Sequence, residues 1–131
     1  MRYILRVDDD QPMIRLFGRQ YGAAISAAGA KLLSALSPEV ALEFVGETRL
    51  QNGDHLLAVL DFNMPEMTGL ALLATLRMKL APLDVTIHAV FYSSDPSGHN
   101  RRAVEAAGAQ FLHKLDNEAK LDAIVTAFLA S

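Results

Sequence analysis

A chain of 131 residues, 51% hydrophobic and 21% charged, has the size and balance of one globular domain with a real core. Its formal net charge of −3 offers no basic field to a nucleic acid, and the absence of cysteine excludes disulfides and thiolate metal sites. No apolar run approaches the length of a bilayer crossing, and the N-terminus starts as a strand pattern rather than a signal peptide, so a single cytoplasmic domain over residues 1–131 is expected.

Tyr3-Ile4-Leu5-Arg6-Val7 reads as the first strand. Arg6 interrupts its apolar run, which predicts an exposed or edge-facing position there. Three carboxylates follow, Asp8-Asp9-Asp10. Like charges so close repel, and a hard cation with oxygen ligands is the usual remedy. A helix cap needs only one of them. Pro12 fits the first turn of a helix with Met13, Ile14, Phe17, Tyr21 and Ile25 on its inner face, ending near Gly29.

Lys31 to Leu36 is the second strand. Ser37-Pro38 starts the next helix as cap and first residue, with Val40, Ala41, Phe44 and Val45 inward. Gly46 to His55 is polar and contains the turn signal Asn52-Gly53, so a mobile loop is expected. Leu56 to Leu60 is an uncharged run, read as a strand buried on both faces. It stops at Asp61, and Pro65 cannot continue a central strand. Gly69 to Leu80 is helical.

Val85 to Tyr92 is the fourth strand, followed by Ser93-Ser94-Asp95-Pro96. Asp95 or Ser97 caps a helix running to about Ala107, and Gly108 stops it. Gln110 to His113 is the fifth strand and delivers Lys114. Asp116-Asn117 opens a last helix with Leu121, Ile124, Val125, Phe128 and Leu129 inward. The four histidines, His55, His88, His99 and His113, form no metal-type pair at helical spacing and are read as surface or edge residues.

Five strands alternating with five helices imply a doubly wound α/β sandwich, with a parallel sheet and right-handed crossovers. In such a sheet the acidic triplet, Asp61, Ser93 and Lys114 all fall on one edge, where ligands of open α/β folds bind. The chemistry they suit is phosphoryl transfer to a carboxylate. Asp61 is the nucleophile and is ionised without a general base. Mg2+ held by the acidic pair and Asp61 offsets the repulsion between two anions. Lys114 adds a positive charge, and the Ser93 hydroxyl a hydrogen bond to the phosphoryl group.

Four segments carry a resemblance: the acidic cluster in Val7-Asp8-Asp9-Asp10, Leu60-Asp61-Phe62-Asn63-Met64-Pro65-Glu66-Met67-Thr68-Gly69, Ser93-Ser94, and Gly108-Ala109 with Phe111 and Lys114. Over essentially its whole length the chain resembles the receiver domain of two-component response regulators. The resemblance implies a flavodoxin-like fold with strand order 2-1-3-4-5. It implies phosphorylation of Asp61 by the phosphohistidine of a histidine kinase or phosphotransfer protein, and a metal ligand in the Asn63 backbone carbonyl. It implies a switch in which Ser93 and Phe111 move together to reshape a face for a downstream protein partner. Such a domain is a phosphoacceptor, not an enzyme beyond its own phosphorylation and dephosphorylation, and a monomer or weak homodimer. Phosphate lifetime depends in the family on the residues that stand here as Asn63 and Asp95.

The sequence departs from the family pattern in three ways. Counting forward from the first strand makes the metal pair Asp8 and Asp9; counting back from Ile14-Arg15 makes it Asp9 and Asp10. Leu115 stands where the family has a proline, so a trans bond is expected there. The spacing from Gly108 to Lys114 is one residue short, and the segment before Asp61 is long. Three other readings compete. One is a pseudo-receiver that binds partners without phosphorylation. Another is a receiver excised from a hybrid histidine kinase, since the chain ends at Ser131 just after the fifth helix. The third is a haloacid-dehalogenase-type phosphatase. That last class wants an acid two residues beyond its nucleophile, and position 63 is Asn.

Overall fold

A computed structural model describes residues 1–94, 98–114 and 118–131. The helix caps expected at Asp95, Ser97 and Asp116-Asn117, and the Leu115 peptide bond, lie outside the described residues. The elements are β1 (Arg2–Val7), α1 (Gln11–Ala27), β2 (Lys31–Ala35), α2 (Pro38–Thr48), β3 (His55–Leu60), α3 (Gly69–Leu80), β4 (Thr86–Ser93), α4 (Gly98–Ala106), β5 (Gln110–His113) and α5 (Glu118–Ala130). All pairings are parallel, in the order β2-β1-β3-β4-β5, so the order implied by the resemblance is the observed one.

Side-chain alternation divides the core into two layers. Tyr3, Leu5 and Val7 of β1 and Leu56, Ala58 and Leu60 of β3 face α2 and α3, packing with Ala41, Val45, Leu72 and Leu76. Ile4, Leu57 and Val59 face the other way, onto Phe17 and Tyr21 of α1 and Val125 and Phe128 of α5. Each fully buried leucine contributes roughly 1.5–3 kcal/mol of burial, so the two layers together supply the driving force. Ser37 caps α2 as expected, its Oγ accepting from the Val40 amide at 3.2 Å. Thr68 does the same for α3, accepting from the Ala71 amide at 3.2 Å.

Two expectations are corrected. Arg6 is neither exposed nor at an edge: it is 1% exposed. β1 lies between β2 and β3, and α1 and α5 cover the face on which Arg6 sits, so Arg6 has no route to water. The segment Gly46 to His55 is not a loose loop either. Gly46 to Thr48 finishes α2, and Leu50 is buried. The rest is tied down by its polar side chains. Asp54 Oδ2 accepts from the Gln51 amide at 2.8 Å, and Asn52 Oδ1 from the Asp84 amide at 2.8 Å. The Gly53 amide donates to the Asp84 carbonyl at 2.7 Å.

Candidate functional site

The parallel ladder runs on past the strand ends and places the polar residues. The Asp8 amide donates to the Ala35 carbonyl at 3.2 Å, the Asp61 amide to the Val7 carbonyl at 2.9 Å, and the Lys114 amide to the Ser93 carbonyl at 3.0 Å. Backbones held this way fix where the side chains start. Asp8, Asp9, Asp61, Ser93 and Lys114 thereby meet at the C-terminal edge of the sheet.

Asp8 is 0% exposed and is the hub. Its Oδ2 accepts from Arg6 Nη2 at 2.8 Å and from Lys114 Nζ at 2.7 Å, and its Oδ1 accepts from the Asp10 amide at 2.9 Å. Lys114 stands farther from Asp61, 3.8 Å from Oδ1. Arg6 also donates from Nη1 to the carbonyls of Val7 at 2.9 Å and Val59 at 3.4 Å. Its guanidinium lies over the rings of Phe17 and Tyr92, 5.7 and 5.8 Å from their centroids. Nε alone lacks a hydrogen-bond partner among the described residues. Burial pushes the Arg6 pKa down, and the Asp8 carboxylate beside it pulls it back up.

Asp8, Asp9 and Asp61 each bring a carboxylate oxygen within 4.8 Å of the others, a spacing that one hard cation spans. The geometry therefore groups Asp8 with Asp9. Asp10 occupies the cap position of α1, with φ −87° and ψ 105°, and its carboxylate makes no cap bond.

Asp61 is buried, its Oδ1 accepting from the Phe62 amide at 3.0 Å and its carboxylate hydrogen-bonded by the Ser93 hydroxyl. Burial, and then the Asp8 charge, raise its pKa above the ordinary aspartate value, while Lys114 and the Ser93 hydrogen bond pull it down. The folded chain thus holds the Asp61 proton more tightly than the unfolded chain. Stability falls as pH rises from the ordinary aspartate range through the raised value. In metal-free buffer at neutral pH, Asp61→Asn is expected to stabilise the fold by on the order of 1 kcal/mol, read as a higher Tm. The gain should fade as pH drops through the raised Asp61 pKa. A gain that is flat with pH would contradict a strained, ionised Asp61.

The loop after Asp61 folds back on itself. Phe62 and Met64 are buried, and Asn63 faces outward. Glu66 has φ 74°, and the Met67 amide donates to the Pro65 carbonyl at 2.8 Å. That is a three-residue turn of the strained hand, which costs about 1–3 kcal/mol. The Gly69 amide then donates to the Phe62 carbonyl at 2.8 Å. A Cβ on Gly69 would collide with the Asp61 carbonyl oxygen and come within 2.6 Å of Phe91 Cε1. Phe111 is buried beside the site, with the Arg101 guanidinium 5.3 Å from its ring centroid.

Two residues of this arrangement escape the sequence reading. Arg6 stands two residues before Asp8, the strand spacing for a shared face, and that signal was available. Gly69 reads only as a helix start, because its close approach to Asp61 arises from the loop's path.

No protein-family model and no curated protein matches the chain. Solved structures do. A signal receiver domain of a DNA-binding response regulator from Colwellia psychrerythraea aligns over 100% of both chains at 18% identity, with a TM-score of 0.78. A response regulator receiver domain from Clostridium thermocellum aligns over 99% of this chain and 95% of that one at 16% identity, with a TM-score of 0.73. The chemotaxis protein CheY4 of Vibrio cholerae aligns over 98% of both chains at 22% identity, with a TM-score of 0.71. From its first strand to its last helix, the chain has the flavodoxin-like fold of response regulator receiver domains.

Proposed function

We propose that the chain is a phosphoacceptor signalling domain that takes a phosphoryl group on Asp61 from the phosphohistidine of a histidine kinase or phosphotransfer protein. The observation that carries this reading is the meeting of Asp8, Asp9, Asp61, Ser93 and Lys114 at one sheet edge, with the Ser93 hydroxyl on the Asp61 carboxylate. An Asp61 carboxylate oxygen forms the new bond to phosphorus. The phosphorus–nitrogen bond of the donor breaks, and the imidazole leaves with its electron pair. Asp61 is already an anion, so no base is required. Lys114 stabilises negative charge on the phosphoryl oxygens, and the Ser93 hydroxyl redirects its hydrogen bond to one of them. Asp8, Asp9 and Asp61, with the Asn63 carbonyl, are the groups that would hold Mg2+, whose charge offsets that of the donor.

Ser93 ends β4, and Phe111 lies on β5 beside Phe91. Movement of Ser93 toward a phosphoryl group is therefore coupled to the packing of Phe111 and Arg101, and through them to the surface of α4 that a downstream protein reads. The reading is of a cytoplasmic domain acting through protein contacts, not through nucleic acid, with no activity beyond its own phosphorylation and dephosphorylation. Among the described residues, no helix is long and apolar enough to cross a membrane.

One observation favours a second reading, an interaction module that works unphosphorylated: two cations already neutralise Asp8. Intact mass after incubation with acetyl phosphate and Mg2+ separates the two. The expected result is one phosphoryl adduct on the wild type, lost on metal removal and absent from Asp61→Asn. An adduct that survives in Asp61→Asn would move the acceptor to another carboxylate. No adduct at all would leave the interaction module.

A further inference from the structure

The carboxylate cluster contains more positive charge than its chemistry requires. Asp8, Asp9 and Asp61 contribute three negative charges, and Arg6 and Lys114 return two. Without Arg6 an incoming divalent cation would meet a net charge of −2; with it, the cation meets −1. Asp8 is also crowded as a ligand. A carboxylate offers about four acceptor positions, and the Arg6, Lys114 and Asp10 donors fill three of those on Asp8.

The two cations are not equally free to yield. Lys114 is 12% exposed, and its ammonium can swing into a cavity of about 270 Å³ between α1 and α5 that Arg6 also borders. Arg6 is walled in. It is 1% exposed, bonded to the Val7 and Val59 carbonyls and packed on Phe17 and Tyr92.

We propose that Arg6 is a resident counter-cation that sets the metal affinity of this cluster, holding Asp8 permanently so that a divalent cation binds only weakly and only as Lys114 leaves Asp8. The inference rests on the phosphoacceptor reading and deepens it. Arg6 acts through Asp8 and does not touch the phosphoryl group, so it is a positioning residue. A purely structural Arg6 would predict variants that bind metal equally or less well, because a loosened site loses ligand geometry.

The test is Mg2+ binding by isothermal titration calorimetry at fixed ionic strength, with folding of each protein checked by thermal unfolding. Arg6→Met removes the charge and keeps much of the volume. Arg6→Gln removes the charge and keeps hydrogen bonding to Asp8 and the carbonyls, so it serves if the methionine variant does not fold. Either is expected to bind Mg2+ at least about tenfold more tightly than the wild type, the lower bound set by a unit charge about 6 Å from a divalent ion screened as strongly as in bulk water. The wild type alone provides a second readout by NMR. Mg2+ should shift the Lys114 side-chain signals while the Arg6 guanidinium stays protected from hydrogen exchange. Equal or weaker binding by the folded variants, or loss of Arg6 protection on Mg2+ binding, overturns the counter-cation role and leaves the phosphoacceptor reading standing. No Mg2+ binding by the wild type or either variant overturns both.

Discussion

Asp8→Ala is expected to cost the fold about 3–5 kcal/mol, the usual penalty for removing one partner of a buried ion pair. That is a large part of the 5–15 kcal/mol that holds a typical domain together, so the variant should sit near the edge of folding. The reason is what remains behind. Arg6 keeps its charge in a place that is 1% exposed, with two carbonyls and two aromatic rings for company but without the carboxylate at 2.8 Å. The reverse change is milder. In Arg6→Met, Asp8 still holds Lys114 at 2.7 Å and the Asp10 amide at 2.9 Å. The double variant Asp8→Ala with Arg6→Met should therefore recover much of the loss, since no unpaired charge remains. Urea unfolding of the four proteins closes the cycle. If the two single losses simply add in the double variant, the buried pair is not what Asp8 contributes.

Gly69→Ala is the second large effect, with an expected loss of about 2–3 kcal/mol from overpacking. Alanine is favoured over glycine inside a helix by at most about 1 kcal/mol, and this is the first residue of α3, so propensity pulls weakly the other way. Steric contact decides the sign. The added methyl meets a backbone oxygen, that of Asp61, and the Cε1 atom of Phe91 at 2.6 Å. Phe91 is fully buried and has nowhere to turn. The strain should be relieved by moving the Asp61 backbone, so phosphoryl uptake should fall even at temperatures where the variant remains folded. A variant with wild-type stability and uptake would show that the loop between Asp61 and Gly69 is looser than its hydrogen bonds suggest.

Much of this was legible in the sequence, for definite reasons. β3 reads clearly because a strand covered on both faces has no polar residue to interrupt it, and Asp61 marks its end. Ser93 and Lys114 follow from the same logic, since parallel strands bring their C-termini to one edge. The acidic pair was ambiguous because two clues, the strand before it and the helix after it, count in registers one residue apart. The hydrogen bond from the Asp8 amide to Ala35 shows that the ladder extends through Asp8, and the grouping with Asp9 and Asp61 follows. Arg6 misleads because a charge in a strand signals exposure only at an edge or on an open face, and β1 has neither. The segment Gly46 to His55 misleads because polar composition does not mean mobility. Asn52 and Asp54 are polar there because they hold the backbone.

The pair between Lys114 and Asp8 joins residues 106 positions apart. A growing chain cannot make it until nearly the whole domain has been synthesised and β5 has docked beside β4. Before that moment Asp8 has only Arg6 and the Asp10 amide, and Asp61 lacks the lysine. Contacts of such long range form late, because the intervening loop must be closed first. The positive charge that Lys114 brings to Asp8 and Asp61 therefore arrives only with the completed fold, and a chain cut before β5 would leave this edge of the sheet one cation short.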